Sequence, residues 1–259
     1  MPADDRPTPN LQIFADANET ARAAALRFIE LARASIEAQG RFSVALAGGS
    51  TPKRIYELLA GEDFAARCDW SSVHVFFGDE RCVPPDHAES NYRMANESLL
   101  SRVALPDENV HRLRGEGDAV ANARLYEDEL RGYFGDDAAW PEFDLVMLGM
   151  GDDGHTASLF PGTHALDARA AWVAANWVEK FESYRVTLTA PAINHARHVM
   201  FIVTGAGKAE PLSEVLQGAH DPRRLPAQLI QPRPGTLSWF LDAAAAAKLS
   251  GKDEGETMK

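Results

Sequence analysis

Four groups of residues in this 259-residue chain place polar and charged side chains at the ends of apolar runs, at spacings suited to chemistry. The richest is Gly149-Met-Gly-Asp-Asp-Gly-His155, where Asp153 and His155 stand two residues apart. A carboxylate beside an imidazole can orient the ring, and a neutral ring can take a proton from water. The run predicts a helix start here, whose positive end would disfavour imidazolium. The plainer alternative makes Asp153 a helix cap and His155 an exposed first-turn residue. The second segment is Gly48-Gly49-Ser50-Thr51-Pro52. Its glycines admit a ligand to the backbone, Ser50 or Thr51 can cap a helix, and Pro52 suits the first helical position. Free N–H groups at such an end suit phosphate, although a plain capped strand–turn–helix link is the simpler reading. The third segment, Gly78-Asp79-Glu80-Arg81, is either a solvated turn or a carboxylate and guanidinium facing a ligand. The fourth joins Arg185 with Gly205-Ala-Gly-Lys208 as possible anion contacts, against the alternative of solvated edge residues.

Several other chemistries are disfavoured. Gly149, Gly151 and Gly154 match a GxGxxG pattern, but Asp152 and Asp153 would repel a pyrophosphate. No Walker A ending, HExxH, HxH or GxSxG occurs. Cys68 and Cys82 have neither zinc nor redox spacing. The expectation from these patterns is no metal site.

The elements that must carry these loops follow from periodicity. Residues 18–39 repeat apolar positions at helical spacing, and Gly40 stops them. Apolar runs at 42–47, 73–77, 143–148, 185–189 and 198–203 predict strands, with 229–230 as a short last one. Helical patterns follow Pro52 and cover 90–102 and 119–131, with two more starting near Pro191 and Ala206. Residues 112–141 read as a surface excursion. Strands alternating with helices predict one α/β domain over 11–247, built on a mainly parallel, doubly wound, Rossmann-like sheet. Residues 1–10 and 248–259 read as flexible termini. In such a sheet ligands bind at the strand carboxyl ends, which is where these segments fall, apart from Arg185 at a strand start.

The formal net charge is −12 with no basic cluster, which argues against nucleic acid as a partner. No apolar stretch has the length of a membrane span, and no basic start precedes an apolar run. The expected setting is the cytoplasm, the expected state a monomer.

Six stretches together resemble the 6-phosphogluconolactonase family, similar in fold to the glucosamine-6-phosphate isomerase/deaminases. They are Leu46-Ala-Gly-Gly-Ser-Thr-Pro52, Phe77-Gly-Asp-Glu-Arg81, Ser90-Asn91-Tyr92, the run from Gly149 to Gly162, Arg185-Val-Thr-Leu188 and Gly205-Ala-Gly-Lys208. The resemblance implies hydrolysis of a sugar phosphate lactone in the oxidative pentose phosphate pathway, with no metal or organic cofactor. It implies His155 as the base that activates water, with Asp153 supporting it. Asp79 and Arg81 would line the sugar end. Gly48, Gly49, Ser50, Thr51, Arg185 and Lys208 would grip phosphate. The deaminase pattern needs a Glu five residues after the His, where this chain has Phe160. Phe181-Glu-Ser-Tyr184 replaces the Pro-rich stretch common before the Arg-Val-Thr strand.

Overall fold

The computed structural model describes residues 10–250. In chain order its elements are β1 (Asn10–Phe14), α1 (Ala17–Gln39), β2 (Phe42–Leu46), α2 (Ser50–Leu59), α3 (Glu62–Ala65), β3 (Val73–Phe77), β4 (Asp79–Arg81) and α4 (Asn91–Ser98). They continue with α5 (Ala119–Phe134), β5 (Leu145–Leu148), β6 (Val173–Val178), β7 (Ser183–Leu188), α6 (Ala190–Asn194), β8 (His198–Val203), α7 (Ala209–Gln217) and β9 (Thr236–Asp242). The Asp16 side chain caps α1 by accepting from the N–H groups of Asn18 and Glu19. Its inner stripe of Ala21, Ala24, Ala25, Phe28 and Ala32 is buried at helical spacing, and the Phe28 ring meets Phe42 of β2 edge-on.

Six strands form one parallel sheet in the order β1-β9-β8-β5-β2-β3. Every residue of β2 and β5 is buried, which requires cover on both faces and explains why β5 is wholly apolar and β2 apolar apart from Ser43, whose hydroxyl donates to the Asp144 carboxylate. The chain leaves β2 toward β3 at one edge, then returns to place β5 on the other side of β2. That reversal opens a crevice between the carboxyl ends of β2 and β5.

Three expectations are corrected here. Residues 229–230 make no strand: Pro226–Leu229 form a single 3-10 turn, and the last strand is β9, between β1 and β8. The 185–189 strand lies outside the parallel sheet, because β7 pairs antiparallel with β4 and β6 in a separate three-stranded sheet. The helix expected over 90–102 ends at Ser98, and Leu100–Arg102 form a 3-10 turn. The described fold also extends past 11–247. Asn10 pairs with Ser238, and the Ser250 N–H and hydroxyl donate to the Gln217 side chain. Of the flexible termini expected at 1–10 and 248–259, residues 1–9 and 251–259 lie outside the described residues.

Candidate active site

The loops after β2, β3, β5 and β8 meet around one cleft of about 270 Å³ at the crevice. Two buried tyrosines hold the strand ends from which the first two loops depart. The Tyr56 hydroxyl donates to the Ala47 carbonyl at 2.8 Å and accepts from the Ala47 N–H at 3.0 Å. Tyr126 does the same for Phe77, at 3.1 and 2.8 Å. Burial pushes both phenols well above their ordinary value, so each remains a donor.

The β2 loop runs straight into α2. Gly49 is the N-cap and no side chain caps the helix, contrary to the expected Ser50 or Thr51 cap. Ser50 and Thr51 are instead the first two helical residues, and Pro52 the third. The helix end therefore presents N–H groups and a positive dipole to the cleft. The Thr51 hydroxyl bonds to that of Thr204 after β8 at 2.9 Å, tying two loops together. Gly48 has to be glycine because a Cβ there would meet Asn91 Oδ1 at 1.9 Å.

Lys208 lines the same cleft, in the turn after β8, with Nζ 3.5 Å from Asp152 Oδ1. That turn is braced by Asp242, at the end of β9, whose carboxylate accepts from the Gly205 N–H at 2.9 and 3.0 Å.

The charged run after β3 divides by strand alternation. Asp79 and Arg81 line the cleft, whereas Glu80 turns away and accepts from the N–H groups of Arg81, Asn91 and Tyr92 and from the Ser90 hydroxyl. Burial raises the Glu80 carboxyl and those backbone bonds oppose it. Asp79 is only 8% exposed; Ser158 donates to it at 2.6 Å and Asn91 Nδ2 at 3.3 Å. Arg81 donates to the Glu89 carbonyl at 2.7 Å.

After β5 the chain stays in turns and no helix forms, so the expected helix dipole does not act on His155. Its partner is local. His155 Nδ1 lies 2.5 Å from Asp153 Oδ1, and the same oxygen accepts from the His155 N–H at 3.2 Å. Burial works against the Asp153 charge, but His155 and Lys180 outweigh it and hold the carboxyl well below the usual range. The turn is closed by the Gly151 N–H donating to the His155 carbonyl at 2.9 Å. A Cβ on Gly151 would stand 2.0 Å from His155 Nδ1, so only glycine admits the pair. Phe160 stacks on the imidazole with ring centroids 4.0 Å apart at 27°.

The cleft thus gathers Gly48, Gly49, Ser50, Thr51, Asp79, Arg81, His155 and Lys208, with Asp153 beside it. Arg185 is not brought to the cleft lining. It pairs in register with Arg81 across β4 and β7, and its guanidinium lies 5.2 Å from the Phe181 ring centroid. Burial, then the Arg81 charge, lowers its affinity for a proton. Sequence reasoning missed Ser158 and Lys180 as partners of the two carboxylates, since both contacts join residues far apart in the chain. Among the described residues, no group of three or more His, Cys, Asp and Glu side chains is arranged to hold a metal ion.

A model of the glucosamine-6-phosphate isomerases/6-phosphogluconolactonase family matches residues 15–239. The chain belongs to this family. A 6-phosphogluconolactonase of Nostoc is 44% identical over 218 residues, 83% of this chain and 88% of that protein. One from Mycobacterium tuberculosis is 37% identical over 246 residues, 93% of this chain and 98% of its own. The solved 6-phosphogluconolactonase from Trypanosoma cruzi superposes with a TM-score of 0.83 at 31% identity, covering 94% of this chain and 97% of that one.

Proposed function

We propose that this chain hydrolyses 6-phospho-D-glucono-1,5-lactone to 6-phospho-D-gluconate, in the cytoplasm and in the oxidative pentose phosphate pathway. The observation that carries the reading is the Asp153–His155 hydrogen bond beside a cleft that also holds the α2 N-terminus and Lys208. With Nδ1 given to Asp153, Nε2 is left to accept a proton from water. The α2 N–H groups, with Ser50, Thr51 and Lys208, grip the phosphate and orient the ring remotely. Water loses a proton to His155 as its oxygen bonds to the lactone carbonyl carbon. Arg81 stabilises the negative oxygen of the tetrahedral intermediate. Collapse breaks the bond to the ring oxygen, which takes the proton back from His155. Asp79, held by Ser158 and Asn91, accepts from sugar hydroxyls. Arg185 enters the reading beside Arg81, as a second guanidinium at the sugar end. Every group used comes from one chain, and none requires a metal or cofactor.

Phe160 supports lactone hydrolysis over amino-sugar isomerisation. It stacks on His155 at the position where the deaminase pattern has its acid, and a phenyl ring transfers no proton. The test is hydrolysis of freshly generated lactone, with spontaneous opening subtracted, by wild type and His155→Ala. A large excess rate nearly lost in the variant is expected. A rate surviving the change would remove His155 as the base, and no excess rate in wild type would remove the activity itself.

A further inference from the structure

The turn joining β6 to β7 brings one side chain to the acid–base pair and a second to the ring stacked on it. It is a single 3-10 turn, Glu179–Phe181, followed by Glu182 at φ 46°. A left-handed conformation is uncommon for a residue with a side chain and marks a turn that its surroundings hold in place. Lys180 Nζ lies 3.3 Å from Asp153 Oδ2. Phe181 meets Phe160 edge-on at 5.6 Å, and Phe160 stacks on His155. Neither Lys180 nor Phe181 lines the cleft.

The two Asp153 oxygens therefore have different partners, Oδ1 on His155 and Oδ2 on Lys180. The neighbouring carboxylate, Asp152, has its own cation in Lys208. We infer that Lys180 is a positioning residue, whose ammonium anchors Oδ2 of Asp153 so that Oδ1 stays aimed at His155 Nδ1. The inference rests on the reading of His155 as the base. A carboxylate free to rotate would offer Nδ1 a partner only part of the time, and the ring would lose both its orientation and its fixed tautomer. Lys180 is half exposed, and such a pair contributes little to folding. Its effect belongs in turnover and not in stability.

The test uses Lys180→Met, Lys180→Arg, Asp153→Asn and the double variant Lys180→Met/Asp153→Asn, in initial rates of lactone hydrolysis and in thermal unfolding. Lys180→Met is expected to lower kcat roughly tenfold, with KM within about twofold and Tm unchanged. Lys180→Arg should recover most of the loss. In the Asp153→Asn background, Lys180→Met should cost nothing more, because the group it acts through is gone. An unchanged kcat, a rise in KM alone, or a full further loss in the double variant would overturn the assignment. A loss in Asp153→Asn but none in Lys180→Met removes Lys180 alone. Full kcat in Asp153→Asn removes the acid–base pair as well.

Discussion

Asp153 Oδ1 accepts from both the ring Nδ1 and the backbone N–H of His155, at 2.5 and 3.2 Å. One oxygen thus fixes the ring against its own backbone, and the Phe160 face closes another side. Asp153→Asn keeps the shape but offers an amide that can present either O or NH₂ to Nδ1. It is expected to lower kcat roughly a hundredfold or more with KM little changed, read from initial rates. A loss confined to KM would place Asp153 in binding.

Gly151 gives a sharper steric test. A methyl group added there would overlap His155 Nδ1 at 2.0 Å and crowd Asp153 Oδ1 at 2.8 Å. Gly151→Ala is expected to fold and to lose most of its kcat, because the pair itself must move. Far-ultraviolet circular dichroism beside the rate assay checks both halves. Normal turnover would show that the pair is not held as described.

Tyr56 and Tyr126 each satisfy two buried backbone groups at a loop root. Tyr→Phe at either site leaves an N–H and a carbonyl without a partner, at a cost of about 1–3 kcal/mol in urea unfolding. A change well under that range would mean that water replaces the hydroxyl.

The parallel sheet was legible because β2, β3, β5 and β8 are nearly continuous apolar runs, broken only by Ser43, His74 and His198, each followed by glycine or a turn. β1 and β9 were not. β1 is a half-exposed edge strand with Leu11 and Ile13 facing outward, and it presents no apolar run. β9 opens on half-exposed Thr-Leu-Ser behind Pro232, Pro234 and Gly235, which together read as loop. The antiparallel sheet escaped for another reason. β4 is only the three charged residues Asp79–Arg81, and it is a strand because β7 pairs with it from a hundred residues away. At the candidate site, residues that announce themselves by local spacing, such as Asp153 and His155, were readable. Those recruited by tertiary contact, Ser158 and Lys180, were not. The Gly149 loop reads like a helix entry, yet Gly151 bonds to the His155 carbonyl and Thr156 to that of Gly149, so its polar groups are satisfied without a helix.

Away from the cleft, His74 on β3 is held below the ordinary histidine value by burial first, then by the charges of His111 and Arg41. Folding therefore favours its neutral form. That contribution is complete above the ordinary value of 6.5 and is lost as the pH falls below it. His74→Asn should flatten the decline in stability between about pH 7 and 5, measured by urea midpoints across that range. His198 is shifted in the same direction and stays in the variant, so the slope should fall without vanishing. An unchanged slope would mean that His74 protonates as readily in the folded protein as in the unfolded chain.

Lys208 and Arg185 separate the two ends of the proposed substrate site. Lys208 stands in the cleft with the α2 N-terminus, where a phosphate would be held alike in the ground and transition states. Lys208→Ala is thus expected to raise KM by roughly tenfold or more and to lower kcat much less. Arg185 is paired with Arg81 and lies outside the cleft lining, so Arg185→Ala should raise KM less than Lys208→Ala does. Steady-state kinetics of the two variants with the same lactone decide the matter. An equal rise in KM would return Arg185 to the phosphate grip, and a fall in kcat alone for Lys208→Ala would move the phosphate away from the β8 turn.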